Sequence, residues 1–305
     1  MCLVSVVIPT FGRPDMVSRA IRSALAQTVQ NIEVIVVVDG DDDLTRTAIA
    51  AIDDPRVRRF DHVEKRGAGH ARDTGVEHSR GGWIAFLDDD DEWEPEKTAR
   101  QLACVDAHGG PAIVMSVSKV VSSYGSFHRP GEIYDNEMPI DEWLFDRRTW
   151  TRGGQSFLQT SSLMLPRALM ATLKFADARH EEWELAIRAV KDGGYALLTD
   201  VMPSVTYYVP ERRAALSRSY TWHSSLEWAI SARALLSPRA FSGFCLTTVA
   251  QDAASVGDRS AFFPLLRAAF RQGAPTARQL SAFAFYWICP EPMRRRLRAI
   301  MQGLK

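Results

Sequence analysis

Apolar and polar positions alternate in blocks along the first third of the chain. Leu3 to Ile8 is apolar except for Ser5, ends at Pro9, and reads as a buried strand. Val17, Ala20, Ile21, Ala24 and Leu25 then recur at helical spacing, with Pro14 placed where a first turn tolerates it. Ile32 to Val38 is a nearly continuous β-branched run and predicts a second buried strand. Asp43 is placed to cap a short helix over 44–52, and 57–62 forms a weaker third strand. A helix over 69–79, a fourth strand over 83–87 and a helix from Pro95 to about His108 follow, then an extended run over 112–121. Strands alternating with helices predict an α/β fold with a mostly parallel sheet covered on both faces.

The middle of the chain is more mixed. The pattern predicts strands over 160–165, 195–199 and 205–209, and a helix over 181–192. Beyond Pro210 it turns helical, over about 222–236, 239–256, 259–271, 276–288 and 293–302. The expected division is therefore a domain over 1–209 and a helical region over 210–305. With 305 residues, 46% hydrophobic and 24% charged, the chain has material for a sizeable core.

The formal net charge is zero but unevenly spread: residues 210–305 carry +9 and residues 1–209 carry −9. The acidic part suits metal chemistry and the basic part an anionic partner. Four scattered cysteines, Cys2, Cys104, Cys245 and Cys289, show no metal-ligand spacing and suit a reduced, cytoplasmic protein. No apolar stretch reaches the length of a membrane span, and the charge balance argues against nucleic acid as a partner.

The densest chemistry is Asp88-Asp89-Asp90-Asp91-Glu92, directly after the apolar run 83–87. Adjacent carboxylates repel unless a cation shares them, so a divalent-ion site competes here with a solvated acidic turn. Pro9-Thr10-Phe11-Gly12-Arg13 and Asp39-Gly40-Asp41-Asp42-Asp43 also follow strands. In parallel sheets such loops converge on one crevice, where acids and a divalent ion can hold a nucleotide diphosphate.

At these residues the chain resembles glycosyltransferase family 2, inverting nucleotide-sugar enzymes of GT-A fold. Val4 to Arg13, Ser23 to Thr28, Glu33 to Gly40, Gly67 to Gly75 and Phe86 to Trp93 with Pro95 carry the resemblance, over about residues 3–110. It implies a donor site from Pro9, Thr10, Phe11, Arg13, Asp39, Arg72, Asp88 and Asp89, with Asp39 on the nucleotide base. Asp90 is the implied ligand of Mn²⁺ or Mg²⁺, and Asp91 a structural acid. Arg72 faces either the diphosphate or a sheet-edge acid, with Arg66 as a weaker candidate. His180-Glu181-Glu182-Trp183-Glu184 resembles the family's acid-acid motif, which makes Glu182 the catalytic base and leaves His180 near the metal or on the surface. Glu181, Glu182 and Glu184 equally suit the positive end of a helix dipole. Gln159 and Thr160 are candidates for the acceptor side.

Departures are Val38 where the family usually has an acid, Asp41-Asp42 for a frequent Ser-Thr, Asp73 for a common Asn, and Glu182 for the more frequent Asp. No Gln-x-x-Arg-Trp motif of processive synthases occurs. The resemblance implies transfer of one sugar from a UDP-linked donor to a saccharide or lipid-linked saccharide in surface-glycan synthesis. Rival readings are transfer to a polyprenyl phosphate, a nucleotidyltransferase, and a silent nucleotide-sugar-binding or scaffold protein. The stripe Met293, Leu297, Ile300 and Leu304, with Arg294, Arg295, Arg296 and Arg298 beside it, makes an anionic membrane at the inner face a candidate peripheral partner. Phe283, Phe285, Tyr286 and Trp287 add aromatic surface to that expectation, while packing on the domain is the alternative. Arg212, Arg213 and Arg218 are candidates to close over a diphosphate.

Overall fold

The computed structural model describes residues 4–122, 125–146, 156–175, 180–209, 221–290 and 293–294. The chain divides into two compact units. The first comprises 1–121, 158–177 and 181–209; the second comprises 122–157, 178–180 and 210–305. Residues 122–157 thus group with the C-terminal helices.

The first unit is built on a sheet with strand order β3-β2-β1-β4-β8-β6-β9-β5. Its strands are β1 (Val4–Thr10), β2 (Ile32–Asp39), β3 (Val57–His62), β4 (Trp83–Phe86), β5 (Glu92–Trp93), β6 (Ala112–Ser122), β8 (Leu163–Pro166) and β9 (Ala196–Tyr208); β7 (Gly125–Arg129) belongs to the second unit. The β3-β2-β1-β4 half is parallel, as the alternation of strands and helices predicts. Strand β8 is antiparallel to both β4 and β6, β9 is parallel to β6, and β5 is antiparallel to β9.

Continuous apolar runs place side chains on both sheet faces, and both are covered. On one face Val4, Val6, Ile8, Val34, Val36 and Val38 pack with Val17, Ala20, Ile21 and Ala24 of helix α1 (Pro14–Leu25). On the other, Ile35 and Val37 pack with Ala71 of helix α3 (Ala68–Glu77). Helix α2 (Asp43–Ala50) follows β2, α4 (Lys97–His108) follows β5, and α5 (Ile140–Phe145) and α6 (Arg167–Met170) come next in the chain. Because β1, β2 and β4 run parallel, the loops after them share one edge of the sheet.

Several local expectations are corrected. Asp42, not Asp43, caps α2: its side chain accepts the Thr45 N–H at 3.1 Å. Thr160–Ser162 is a 3₁₀ turn, and the strand begins only at Leu163. The two short strands expected over 195–209 are one, β9, whose register against β6 shifts near Val117. The two-residue β5 is too short for any periodicity to reveal it.

In the second unit, helices Trp222–Ser231, Pro238–Gly243, Ala250–Ser255, Phe262–Gln272 and Ala277–Ile288 are described, with a π-helical stretch at Phe244–Val249. Phe145, Trp228 and Phe244 form an edge-to-face aromatic cluster. Thr276 caps the last of these helices in a reciprocal box with Gln279. Cys104, Cys245 and Cys289 are free thiols. Among the described residues no helix is long and apolar enough to cross a membrane.

Helix α3 lies close to β1 because Gly75 has no side chain: a Cβ there would collide with Val7 Cγ1, a buried strand residue. Gly75→Ala is therefore expected to destabilise the protein by about 1–3 kcal/mol, despite the better helix propensity of alanine. Urea unfolding should show a lower midpoint at unchanged slope.

Candidate active site

The first strand runs out into Phe11-Gly12-Arg13, and Pro9 is still inside β1, buried opposite Val37. Thr10 Oγ1 donates to Asp89 Oδ2 at 2.8 Å, and Arg13 Nη1 donates to Asp89 Oδ1 at 2.7 Å and Asp90 Oδ2 at 3.0 Å. The loops after β1 and β4 are thus tied together, with Asp89 buried between them. Burial raises the Asp89 carboxyl to about 6, with Arg13 opposing the shift and Asp90 adding to it. Phe11 is 38% exposed, covers Gly40, and takes the Lys65 ammonium 4.3 Å above its ring. Gly40 has φ +125°, a conformation that tolerates no side chain without strain.

Asp39, at the end of β2, is buried and organises the next loop. Its Oδ1 accepts the Arg66 N–H at 2.9 Å and bonds His62 Nδ1 at 2.8 Å; its Oδ2 accepts the Gly67 N–H at 2.8 Å. Gly67 is the N-cap of α3, so Asp39 sets where that helix starts. A carboxylate has about four acceptor positions, and the contacts among the described residues leave one direction on Oδ2 open. His62 continues the chain of contacts to Thr74 Oγ1 at 2.9 Å. The Arg66 side chain is exposed.

Arg72, one turn into α3, is buried and meets two acids. Its Nη2 donates to Asp88 Oδ1 at 2.6 Å and its Nη1 to Glu181 Oε1. Burial works against the guanidinium charge, yet Asp88 and Glu181 outweigh it, and the pKa is raised. Glu181 is raised to about 7, by burial first, because Glu182 and Asp88 add to that shift against Arg72. The acidic loop after β4 and the start of helix α7 (Glu181–Lys191) therefore meet across one buried cation, with Glu182 part-buried beside it.

The four aspartates separate by role. Asp88 faces Arg72, Asp89 locks the first loop, and Asp90 is part-buried next to Arg13. Asp91 turns inward and accepts from Ser161 Oγ at 2.6 Å, so burial pushes its carboxyl well up. Ser161 Oγ also accepts the Asp88 N–H at 3.0 Å, which pins the acidic loop from both ends. Trp93 Nε1 donates to the Ser161 carbonyl at 2.8 Å. Sequence reading missed Ser161, because a lone serine inside a Thr-Ser-Ser run carries no signal. It also missed Tyr207, whose hydroxyl is pushed up by burial and then by Asp91, Asp90, Asp88 and Glu182. Tyr207 therefore lies within electrostatic reach of both acid groups.

Other candidates lie elsewhere. Glu184 pairs along its own helix with Arg188 at 2.8 Å. Gln159 donates to Ser118 Oγ at 3.2 Å, and Thr160 is buried in the 3₁₀ turn. His180 belongs to the second unit, is buried, and shares a 3.1 Å hydrogen bond between Nε2 and Ser225 Oγ, with Trp228 and Phe244 rings 5.1 Å away. It is not a surface residue. Arg212, Arg213 and Arg218 fall outside the described residues.

Among the described residues no three acids, histidines or cysteines form a ready metal cage. The donors present are carboxylate oxygens, the kind Mg²⁺ and Mn²⁺ take. Asp90 fits such an ion in kind, with the remaining positions left to water and a substrate's phosphates.

A parallel half-sheet whose strand ends carry these acids defines the GT-A class of glycosyltransferase. Solved structures agree in fold. The mannosyltransferase PcManGT from Pyrobaculum calidifontis, in complex with GDP-Man and Mn²⁺, matches with a TM-score of 0.63 at 18% identity, over 100% of this chain and 86% of that one. S. aureus TarS 1-349 in complex with UDP-GlcNAc matches at 0.59 and 15% identity, over 94% of this chain and 90% of that one. Residues 5–177 match the model of glycosyl transferase family 2, and the chain belongs to that family.

The succinoglycan biosynthesis protein ExoO of Rhizobium meliloti is 41% identical over 117 residues, 38% of this chain and 34% of its own length. This chain thus spans about a third of that relative. The Escherichia coli protein WfgD, named a UDP-Glc:alpha-D-GlcNAc-diphosphoundecaprenol beta-1,3-glucosyltransferase, is 25% identical over 198 residues, 64% of this chain and 73% of its own.

Two outcomes test this geometry. Asp39→Asn should cost about 1–3 kcal/mol, because the side-chain amide turns an acceptor into a donor facing N–H groups; hydrogen exchange should rise at Arg66 and Gly67. Glu181 has a folded pKa raised from 4.5 to about 7, so its contribution to stability is full below 4.5 and is lost as pH rises to about 7. The melting temperature of the ligand-free wild type should therefore fall relative to Glu181→Gln across that window.

Proposed function

We propose that the chain is an inverting, metal-dependent transferase that moves one sugar from a UDP-linked donor to a saccharide or lipid-linked saccharide in surface-glycan synthesis. The observation that carries this reading is the Arg72 bridge, which brings Asp88 of the donor loop and Glu181, the neighbour of Glu182, to one guanidinium. The names of WfgD and ExoO support the UDP donor, the diphospholipid acceptor and the polysaccharide product.

In this reading the base of the donor nucleotide lies against Phe11, and its imide N–H donates to the open direction on Asp39. In the same reading Arg13 and Arg72, now paired with Asp89, Asp90, Asp88 and Glu181, supply positive charge to the diphosphate. Asp90 would hold Mn²⁺ or Mg²⁺, and the chemistry such an ion would supply is neutralisation of negative charge on a diphosphate. Glu182 takes the proton of the acceptor hydroxyl as that oxygen bonds to the anomeric carbon, on the face opposite the leaving group. The bond from the anomeric carbon to the diphosphate breaks, and its electron pair leaves with the nucleoside diphosphate. Inversion follows from attack on the opposite face. Glu181, kept by Arg72, holds the first turn of α7 and so the aim of Glu182.

The test is release of nucleoside diphosphate from a panel of nucleotide-sugars and acceptors, with Mn²⁺, Mg²⁺ or chelator. One donor should turn over, and chelator should abolish it. Glu182→Gln should keep donor binding and lose about 10²- to 10⁴-fold in kcat. Asp90→Asn should weaken metal-dependent donor binding. Full activity in both variants would remove these assignments. Donor binding without turnover on any acceptor would make the protein a nucleotide-sugar binder.

A further inference from the structure

The helix Phe262–Gln272 has two unlike faces. Leu265, Ala268 and Ala269 are buried, and the Phe262 ring packs against Phe283 and Trp287 at 4.8 and 5.6 Å. The outward stripe is Phe263, Arg267, Phe270 and Arg271, at helical spacing. Phe263 is 76% exposed and Phe270 58% exposed, where a solvated helix face ordinarily carries polar groups. From Arg259 to Pro290 the chain has no acidic residue, while Arg259, Arg267, Arg271 and Arg278 are all exposed. On the following helix Phe285 and Ile288 are exposed as well.

We infer that this face docks on an anionic lipid bilayer, with the phenylalanines entering the headgroup boundary and the arginines meeting lipid phosphates. Charge complementarity selects the occupant. A second copy of the chain would set arginines against arginines, whereas an anionic surface complements Arg267 and Arg271 of this stripe. Of the residues the sequence suggests for this role, Phe285 and Met293 are exposed, whereas Phe283 and Tyr286 are buried in the helical core and Arg294 is buried with its guanidinium 5.4 Å above the Tyr286 ring. Arg295, Arg296 and Arg298 fall outside the described residues.

The full chain should sediment with vesicles of phosphatidylcholine and phosphatidylglycerol, but not with phosphatidylcholine alone, and salt should weaken the binding. Arg267→Gln with Arg271→Gln should lower affinity roughly 25-fold, at about fivefold per arginine. Phe263→Ser with Phe270→Ser should lower it by roughly tenfold or more. All four side chains face solvent, so melting temperature should hold in both variants. Binding to neither vesicle, or equal binding by wild type and both variants, overturns the inference. So does a dimer in light scattering that the substitutions dissociate, which would assign the face to copies of this chain. Sedimentation needs no donor or acceptor, so its result is independent of the transfer reaction.

Discussion

A guanidinium removed from water without partners costs several kcal/mol, and Arg72 is almost wholly buried. What keeps it charged is the pair of carboxylates on either side, Asp88 from the loop after β4 and Glu181 from the start of α7. Its own helix begins where Asp39 gathers the N–H groups of Arg66 and Gly67. One cation therefore ties together three separate segments, of which α7 is distant in sequence from the other two. Removing it would leave two acids facing each other in a poorly hydrated space.

The same logic sorts the acidic run. Four consecutive carboxylates cannot share one environment, and the fold separates them with two arginines and two hydroxyls. Asp89 satisfies Thr10 and Arg13, Asp91 satisfies Ser161, Asp88 meets Arg72, and Asp90 stays toward the surface beside Arg13. The raised carboxyls of Asp89, Asp91 and Glu181 reflect the burial that this sorting imposes. In the proposed reaction the acid assigned to the metal, Asp90, is part-buried, as is Asp88, and the buried Asp89 and Asp91 hold the loops that present it.

Much of the parallel half-sheet was legible because its signals are local. Apolar runs of strand length and apolar residues at helical spacing predict β1, α1, β2 and β4 from contacts within each element. The helical character of the C-terminal region follows from the same periodicity. The 3₁₀ turn at Thr160–Ser162, the two-residue β5 and the single long β9 were not legible, since each depends on a partner strand or turn distant in sequence. Ser161 illustrates the limit: nothing in its neighbours marks it, yet it bonds both ends of the acidic loop.

The sequence by itself determined the acids, their order, and the strands that carry them to one edge, because strand direction follows from the alternation with helices. Only the tertiary structure decided which oxygen faces which cation, that Asp91 and His180 turn inward, and that Phe283 and Tyr286 are core while Phe263 and Phe270 are surface. The reason is that burial belongs to a packed arrangement, and an amphipathic helix with apolar residues on two sides does not encode which side the rest of the chain will cover.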